Sequence, residues 1–206
     1  MLTPPRNSSE SRLRPGAERR ADYLRGPVPY AVAGLVFMVV VLRGMGRVWW
    51  CSCGSPAPWS SDTVSVHNSQ HFLDPYSLSH GLHGMMFLAL LQPFAGRIPL
   101  AWRLMLVVCA EVGWEIIENT PFTIERYRTA TVSLGYTGDS IANSLGDVLC
   151  CWTGGLVARR LGWLRGIALF VALELGLLWW IRDCLILNMI MLLHPIEAVK
   201  HWQMGG

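Results

Sequence analysis

Three glutamates, Glu111, Glu115 and Glu118, lie close together in the stretch AEVGWEIIENTPF, directly after a strongly apolar segment. A helix turns by about 100° per residue, so side chains spaced three or four apart point from the same face. Crowded carboxylates raise one another's pKa, which leaves some as proton donors and others as proton acceptors. Carboxylates combined with histidines also bind divalent cations. The stretch therefore predicts a site for acid–base chemistry or for a metal ion.

Two other segments carry polar side chains at helical spacing. His80 and His83 stand three apart in SHGLHG, and Asp139, Asn143 and Asp147 stand four apart in DSIANSLGD. Helical bundles bind metal ions with glutamate and histidine side chains that project from facing helices. We therefore expect the three segments to bring their polar faces together around one site.

The predicted site residues fall into three groups by the chemistry of their side chains. The predicted ligands of a divalent metal ion, which we expect to be zinc, manganese or iron, are His80, His83 and Asp147. The residues predicted to move protons or orient ligands are Glu111, Glu115, Glu118, Asp139 and Asn143. The cations predicted to hold a phosphate-bearing substrate are Arg126, Arg128 and Arg182. Taken singly, each residue also has a structural explanation, such as Asp139 as a helix N-cap or Asp147 as a contact between helices.

The composition favours a membrane protein. Of the 206 residues, 52% are apolar and 15% are charged, whereas a soluble domain is about a quarter charged. Five apolar segments can each supply the roughly 20 residues of a membrane span; they are about Val28–Val48, Leu78–Ala95, Leu100–Asn119, Ser140–Leu161 and Leu164–Leu193. The pattern predicts an all-α, polytopic transmembrane helix bundle of about five spans. The last segment is longer than one span, so we expect it to tilt or to break near Ile181–Cys184.

The basic residues define the expected orientation. Residues 1–27 are rich in arginine, proline and serine and poor in apolar side chains, which predicts a disordered basic tail. With this tail in the cytoplasm, five spans place eleven basic residues inside and six outside, in agreement with the positive-inside rule. Residues 28–206 then form the transmembrane helical domain, with outer loops at 49–77 and 120–137. A cleaved signal peptide at the first segment is the alternative. We expect no nucleic-acid partner, because no base-reading module follows the tail.

This topology places the polar stripes in one leaflet of the membrane. The histidines begin the second span, the glutamates end the third, and the Asp139–Asp147 stripe begins the fourth. A single ionised side chain at mid-membrane costs roughly 2.5–3.5 kcal/mol on insertion scales. The carboxylates are therefore expected to face the interior of the bundle, to pair with cations or to be protonated.

Further candidate ligands lie outside the stripes. Cys51 and Cys53 follow the first span at a spacing too tight for a relaxed mutual disulfide, and two ligands alone are weak evidence for a metal. We expect His67 and His71, in the polar outer loop, to be solvated. Glu174 is isolated in VALELGLL, where it would pair with a basic residue or contact another helix in its protonated form.

Four long motifs resemble one known family. The stretches HNSQHFLDPYSLSHGLHG, EVGWEIIENTPFTIERYR, GYTGDSIANSLGD and IRDCLILNMIMLLHPIEAVKHWQ are similar to the membrane protein family UPF0314, also called DUF2585. The resemblance covers about Arg47 to Gln203 and leaves out the basic tail. It implies a bacterial, chiefly alphaproteobacterial, multi-pass protein of the inner membrane, and it implies no particular activity.

Three classes of function are compatible with the polar stripes. A membrane-embedded hydrolase or transferase would act on a lipid-linked substrate through a metal-activated water or an acid–base pair. A transporter of protons or divalent ions would need polar residues in the inner leaflet, whereas MMFLALL and LMLVV are apolar there. A non-catalytic scaffold would use the stripes for packing alone. We carry the first hypothesis forward, with the lipid bilayer and a lipid substrate as the expected partners.

Overall fold

A computed structural model describes residues 26–205 of the chain, and this part is all-α, as predicted. The same range contains no β-strand, and its eight α-helices are α1 Val28–Gly44, α2 Pro75–Leu90, α3 Leu100–Glu118, α4 Pro121–Ala130, α5 Ile141–Leu161, α6 Trp163–Ile181, α7 Leu185–Leu193 and α8 Glu197–Gln203. The predicted disordered tail lies outside the described residues, except for residues 26 and 27.

Helix length and composition identify two candidate membrane spans within residues 26–205, namely α5 and α6. Helix α1 is apolar but has 17 residues, and α2 has 16 residues. Helix α3 is long enough, but it carries Arg103, Glu111 and Glu115. The prediction of about five spans is therefore not confirmed. Helices α1 and α2 are too short, and α3 is too highly charged, to count as candidate spans by length and composition.

Capping residues explain where two helices begin. Helix α2 begins at Pro75, before the predicted apolar segment, because Asp74 and Ser77 form a reciprocal capping box. The Asp74 carboxylate accepts a hydrogen bond from the Ser77 backbone N–H (3.1 Å), and the Ser77 hydroxyl accepts one from the Asp74 N–H (3.1 Å). The predicted outer loop at 120–137 contains helix α4, which Thr120 caps with its side chain.

Helices α2 and α5 approach each other closely because glycines line their interface. A Cβ added at Gly84 would lie 1.7 Å from the carbonyl oxygen of Cys151, and one at Gly154 would lie 1.9 Å from the carbonyl oxygen of Gly81. Only glycine fits at such distances from a backbone. The close approach brings the histidine-bearing helix against the aspartate-bearing helix.

Apolar side chains complete the bundle around these two helices. Leu88 of α2, Val107 of α3 and Cys151 of α5 form one buried cluster. Met38 and Leu42 of α1 are fully buried in a second cluster, which joins α1 to α3 and α5. Helix α3 is therefore held between α1, α2 and α5, and its glutamates lie inside the bundle.

The last apolar segment breaks, which is one of the two alternatives that its length suggested. Helix α6 ends at Ile181, and Arg182 adopts the left-handed conformation (φ 54°), which is uncommon for a residue with a Cβ. Helix α7 begins at Leu185, and the carboxylate of Glu174 accepts hydrogen bonds from the N–H groups of Leu185 (2.9 Å) and Ile186 (3.0 Å). Glu174 thus caps α7 from a neighbouring helix, in place of the two roles predicted for it.

Candidate metal centre

Two facing helices supply the central side chains of the site. His80 and His83 lie one turn apart on α2, and Glu111 and Glu115 lie one turn apart on α3. All four side chains are buried. The helical spacing that placed each pair on one face also places the two pairs against each other, so the predicted convergence is observed.

Glu111 bridges the two histidines. One oxygen of its carboxylate contacts Nδ1 of His80, and the other lies 3.1 Å from Nδ1 of His83. An oxygen of Glu115 lies 3.4 Å from the same nitrogen of His80, and an oxygen of Asp147 lies 3.8 Å from Nε2 of His80. The imidazole of His80 therefore lies at the centre of the cluster, with carboxylates on both sides of its ring.

Several polar atoms of the cluster are buried without a hydrogen-bond partner. Among the described residues, these atoms include both carboxylate oxygens of Glu115, one oxygen of Glu118 and one of Asp147. In the part of the chain that the structure describes, the side-chain amide nitrogen and oxygen of Asn143, another predicted site residue, are also buried without a hydrogen-bond partner. Burial of an unpaired charged oxygen is strongly unfavourable. The cluster therefore needs a cation or additional protons.

Two sets of three side chains can each share one metal ion. The first set is His80, His83 and Glu111, and the second is His80, Glu115 and Glu118. Within each set, the ligand atoms lie within 4.8 Å of one another. The predicted set of His80, His83 and Asp147 changes in one member, because Glu111 reaches both histidines whereas Asp147 faces the other nitrogen of His80. Imidazole and carboxylate ligands suit zinc, manganese and iron.

Asp139 belongs to a polar network at the edge of the cluster. Its carboxylate accepts hydrogen bonds from the Asn119 amide (2.6 Å) and the Tyr136 hydroxyl (3.0 Å), and its N–H donates to Asn119 Oδ1 (2.8 Å). Burial raises the pKa of Asp139 to about 6, although these hydrogen bonds act in the opposite direction. Asp139 is not the N-cap of α5, because Ser140 takes that role and accepts a hydrogen bond from the N–H of Asn143 (3.1 Å).

A small pocket opens beside the cluster. Its volume is about 40 Å³, and its lining includes His80, Glu118, Asp139, Tyr127 and Tyr136. Burial raises the pKa of Tyr127 and of Tyr136, so both phenols stay protonated and can donate hydrogen bonds. Since one water needs roughly 10–15 Å³ of such space, the pocket has room for a few waters and not for a lipid headgroup.

The three arginines predicted to hold a phosphate lie elsewhere. Arg126 donates hydrogen bonds to the carbonyl oxygens of the last two residues of α7 (2.7 and 3.1 Å). Arg182 donates to the carbonyl oxygen of Trp202 (3.0 Å), and Arg128 is exposed on α4. Within residues 26–205, none of the three lines the pocket. Arg126 and Arg182 lie beside carbonyl groups near helix C-termini, which attract guanidinium groups, and a phosphate-binding role for the three arginines stays a prediction.

The sequence reasoning missed several side chains that surround the cluster. Tyr76 lies one turn before His80 and lines the pocket. The Trp114 ring meets the His83 ring edge-on at 5.7 Å between centroids, and Asn119 lies one turn after Glu115. Each of these residues shares a helical face with a predicted residue, so their spacing was an available signal. Tyr136 comes from a loop, where no periodicity indicates its direction.

The fold and the site together define an all-helical bundle protein with a buried cluster of histidines and carboxylates. The chain belongs to the family described as "Protein of unknown function (DUF2585)", whose sequence model matches residues 42–205. The family predicted from the four motifs is therefore confirmed.

Named relatives show how far the similarity extends. A UPF0314 protein of Paracoccus denitrificans is 41% identical over 189 residues, which covers 89% of this chain and 96% of that protein. A UPF0314 protein of Sinorhizobium fredii is 47% identical over 176 residues, with 85% of this chain and 89% of that protein covered. One of Rhizobium meliloti is 44% identical over 171 residues, covering 83% and 87%. No solved structure matches the chain.

Proposed function

We propose that the protein is a multi-pass protein of the bacterial inner membrane whose helix bundle binds a divalent metal ion at His80, His83 and Glu111. We further propose that this centre hydrolyses, or transfers a group from, a lipid-linked substrate. The observation that carries the proposal is one buried carboxylate that bridges two buried histidines beside a pocket lined by further acids.

Apolar surface that the bundle leaves uncovered supports membrane integration. On α6, Leu164, Leu175 and Trp179 are 80%, 60% and 87% exposed, and Phe37 and Val40 of α1 are 60% and 63% exposed. Monomeric soluble proteins rarely expose large contiguous apolar patches, whereas lipid chains would cover these side chains. Helices α1, α2 and α3 would complete the five predicted spans, because the charged side chains in the middle of α3 are buried in the bundle.

The arrangement of ring nitrogens supports a metal ion. Nδ1 of His80 and Nδ1 of His83 both face the carboxylate of Glu111, so one cation can accept both lone pairs and a carboxylate oxygen. Nε2 of His80 faces Asp147 at 3.8 Å. A carboxylate behind a ligating histidine fixes the orientation and tautomer of its ring. Asp147 would therefore orient His80 and would not bind the metal directly.

The surroundings of the centre suit hydrolysis. A bound divalent metal ion lowers the pKa of its water to about 7 in favourable cases. Glu118 lines the pocket and would accept the proton of that water. The hydroxyl groups of Tyr127 and Tyr136 donate to Asn188 (3.2 Å) and Asp139 (3.0 Å), and they would turn toward the substrate to donate hydrogen bonds to negative charge that develops on it. Because the pocket holds only a few waters, Asn188 and Met189 of α7, at another wall, would have to move when a headgroup enters.

The structure disfavours a transport path through the bundle. Leu88, Val107 and Cys151 form a buried apolar cluster beyond the histidines, toward the opposite end of α2, α3 and α5. Ions that cross the bundle would have to pass this cluster, so we expect no ion flux in proteoliposomes. A scaffold would bind no metal, and substitution of Glu111 would then change only its stability.

Metal content tests the central claim. We would purify the wild type, Glu111→Gln and Glu125→Gln in detergent and measure their metals by mass spectrometry. Glu125 is a matched control because it is exposed on α4. We expect Glu111→Gln to hold one equivalent of divalent metal less than the wild type and the control. Equal metal in all three proteins, or none in the wild type, would refute the metal centre.

Two more measurements address the membrane and the reaction. Alkaline carbonate should leave the protein in the membrane pellet, and its release into the supernatant would show that it is not integral. Phosphate release from vesicles that contain a polyprenyl diphosphate should require the wild type or Glu125→Gln and should be lost in Glu111→Gln. Absence of phosphate release by the wild type would rule out this substrate class.

A further inference from the structure

The loop between α1 and α2 brings together two cysteines and two histidines that are far apart in sequence. Cys51 and Cys53 lie near the start of the loop, and His67 and His71 lie near its end. In the structure, the four ligand atoms lie within 4.8 Å of one another. His71 is buried and His67 is partly buried. The expectation that both histidines are solvated is therefore corrected.

The distances match those between ligands of one tetrahedral zinc ion. Sγ of Cys51 lies 3.2 Å from Nδ1 of His67, and Sγ of Cys53 lies 3.6 Å from Nε2 of His71. Zinc bonds of about 2.3 Å to sulfur and about 2.0–2.1 Å to nitrogen place neighbouring ligand atoms roughly 3.3–3.8 Å apart in a tetrahedron. Small adjustments of the side chains would therefore complete the coordination.

Neighbouring groups prepare two of the four ligands. Nδ1 of His71 lies 2.6 Å from the carbonyl oxygen of Ala57, so it carries the proton and donates it, which leaves the lone pair of Nε2 facing Cys53. The backbone N–H of Cys53 donates to Sγ of Cys51 (3.4 Å).

We propose that Cys51, Cys53, His67 and His71 bind a structural zinc ion. Two cysteines and two histidines form a closed ligand set that is typical of structural zinc, because it leaves no coordination position for a substrate. The histidines have the usual spacing of H-x₃-H, whereas C-x-C is one residue shorter than the common cysteine spacing. This site shares no residue with the buried centre and is independent of the proposed function.

A zinc ion here would fasten a loop with little regular structure. Between α1 and α2, the described backbone forms one isolated β-bridge, Trp59 with Leu73, and loops of this length without secondary structure are uncommon in compact domains. Asn68 and Ser69 of the same loop line the pocket, and the Ser69 carbonyl accepts a hydrogen bond from the N–H of Ser140 (2.9 Å). The ion would therefore hold one wall of the pocket in place.

Replacement of the metal by Co²⁺ tests this site separately from the buried centre. Cobalt bound to thiolates gives a sulfur-to-metal charge-transfer band, which the histidine–carboxylate centre cannot give because it has no sulfur ligand. We expect the band in the wild type and in Glu111→Gln, and we expect its loss in Cys53→Ser. Cys150→Ser is the matched control, since Cys150 lies on α5, and it should keep the band. A wild type without the band, or an unchanged band in Cys53→Ser, would overturn the proposal.

Thiol alkylation of the wild type covers the case in which Cys53→Ser does not fold. Cys53 is exposed, so it should react readily in zinc-free protein. Added zinc should protect Cys51 and Cys53 from the reagent, and a chelator should restore their labelling. Equal labelling with and without zinc, or a Cys51–Cys53 disulfide in the isolated protein, would contradict the zinc site. Because Glu111→Gln removes only the buried centre, either proposal can fail without the other.

Discussion

Substitution of Gly84 by alanine tests the helix packing that positions the buried centre. An added Cβ would lie 1.7 Å from the carbonyl oxygen of Cys151, 2.6 Å from its carbonyl carbon and 2.9 Å from the nitrogen of Gly155. All three are backbone atoms of α5, so no flexible side chain can move aside. Carbon and oxygen atoms in contact lie at least about 3.3 Å apart. Helices α2 and α5 would therefore have to separate by roughly 1.6 Å, which is the difference between the contact distance and the 1.7 Å to the Cys151 oxygen.

The expected loss of stability combines two terms of opposite sign. Alanine favours a helix over glycine by about 1 kcal/mol, whereas overpacking of a well-packed interior costs about 1–3 kcal/mol. The clash at Gly84 is with backbone, so the second term should be near its upper value. We expect Gly84→Ala to be less stable than the wild type by about 2 kcal/mol, equivalent to a fall in Tm of about 4–8 °C for a chain of this size.

The matched control is Gly81→Ala, one turn earlier on the same helix. The nearest atom to its added Cβ is the carbonyl oxygen of Cys150 at 3.8 Å, which is an ordinary contact. We expect this variant to keep or raise the wild-type Tm, because it gains helix propensity without a clash. Thermal unfolding in detergent, followed by tryptophan fluorescence, measures both variants. Equal Tm values for Gly84→Ala and Gly81→Ala would refute the close approach of α2 and α5.

Two further predictions concern single carboxyl groups. Burial raises the pKa of Asp139 from 3.8 to about 6, so the folded chain binds this proton more tightly than the unfolded chain, and stability is lost as pH rises through 6. Asp139→Asn resembles the protonated form, so its Tm relative to the wild type should increase from pH 5 to pH 8 by the equivalent of about 1.4 kcal/mol, because only about one pKa unit of the shift lies above pH 5, at about 1.36 kcal/mol per unit; a constant Tm difference would contradict this reasoning. Glu174→Ala removes the acceptor of two N–H groups of α7, so we expect a loss of about 1.5–3 kcal/mol in thermal or chemical unfolding. Glu174→Gln keeps one acceptor oxygen and should lose less, and wild-type stability in both variants would show that α7 does not depend on this cap.

Helical periodicity made the centre of the site predictable. His80 and His83, like Glu111 and Glu115, share a face whatever the rest of the fold does, because residues three or four apart in a helix are neighbours. Periodicity could not decide whether Glu111 or Asp147 is the third member of the candidate metal-binding set. The choice depends on how far the helices stand from one another, which the backbone contacts at Gly84 and Gly154 determine.

Helical periodicity could not predict the contacts of side chains in loops and at helix ends. Arg126 looked available for a phosphate, but the break before α7 places the carbonyl groups of its C-terminal end beside this arginine. Cys51 and His67 lie 16 residues apart, and no periodicity relates them across an irregular loop. The number of candidate spans differs from the prediction for a related reason. Composition locates apolar segments, whereas the capping box at Asp74 sets the start of α2, and the charged side chains of α3 exclude this helix from the candidate spans.

The ligand chemistry of the two proposed metal sites separates their roles. Two cysteines and two histidines would fill all four positions of a tetrahedral zinc ion, so the role of the loop site would be structural and not catalytic. Two histidines and one carboxylate leave a fourth position, and a pocket with room for water opens beside His80. The two sites are also connected mechanically, because His71 lies three residues before Asp74, whose capping box begins the helix that carries His80. A loop held by zinc would therefore fix both the pocket wall and the start of α2, and the open position at the buried centre would face a pocket of defined shape.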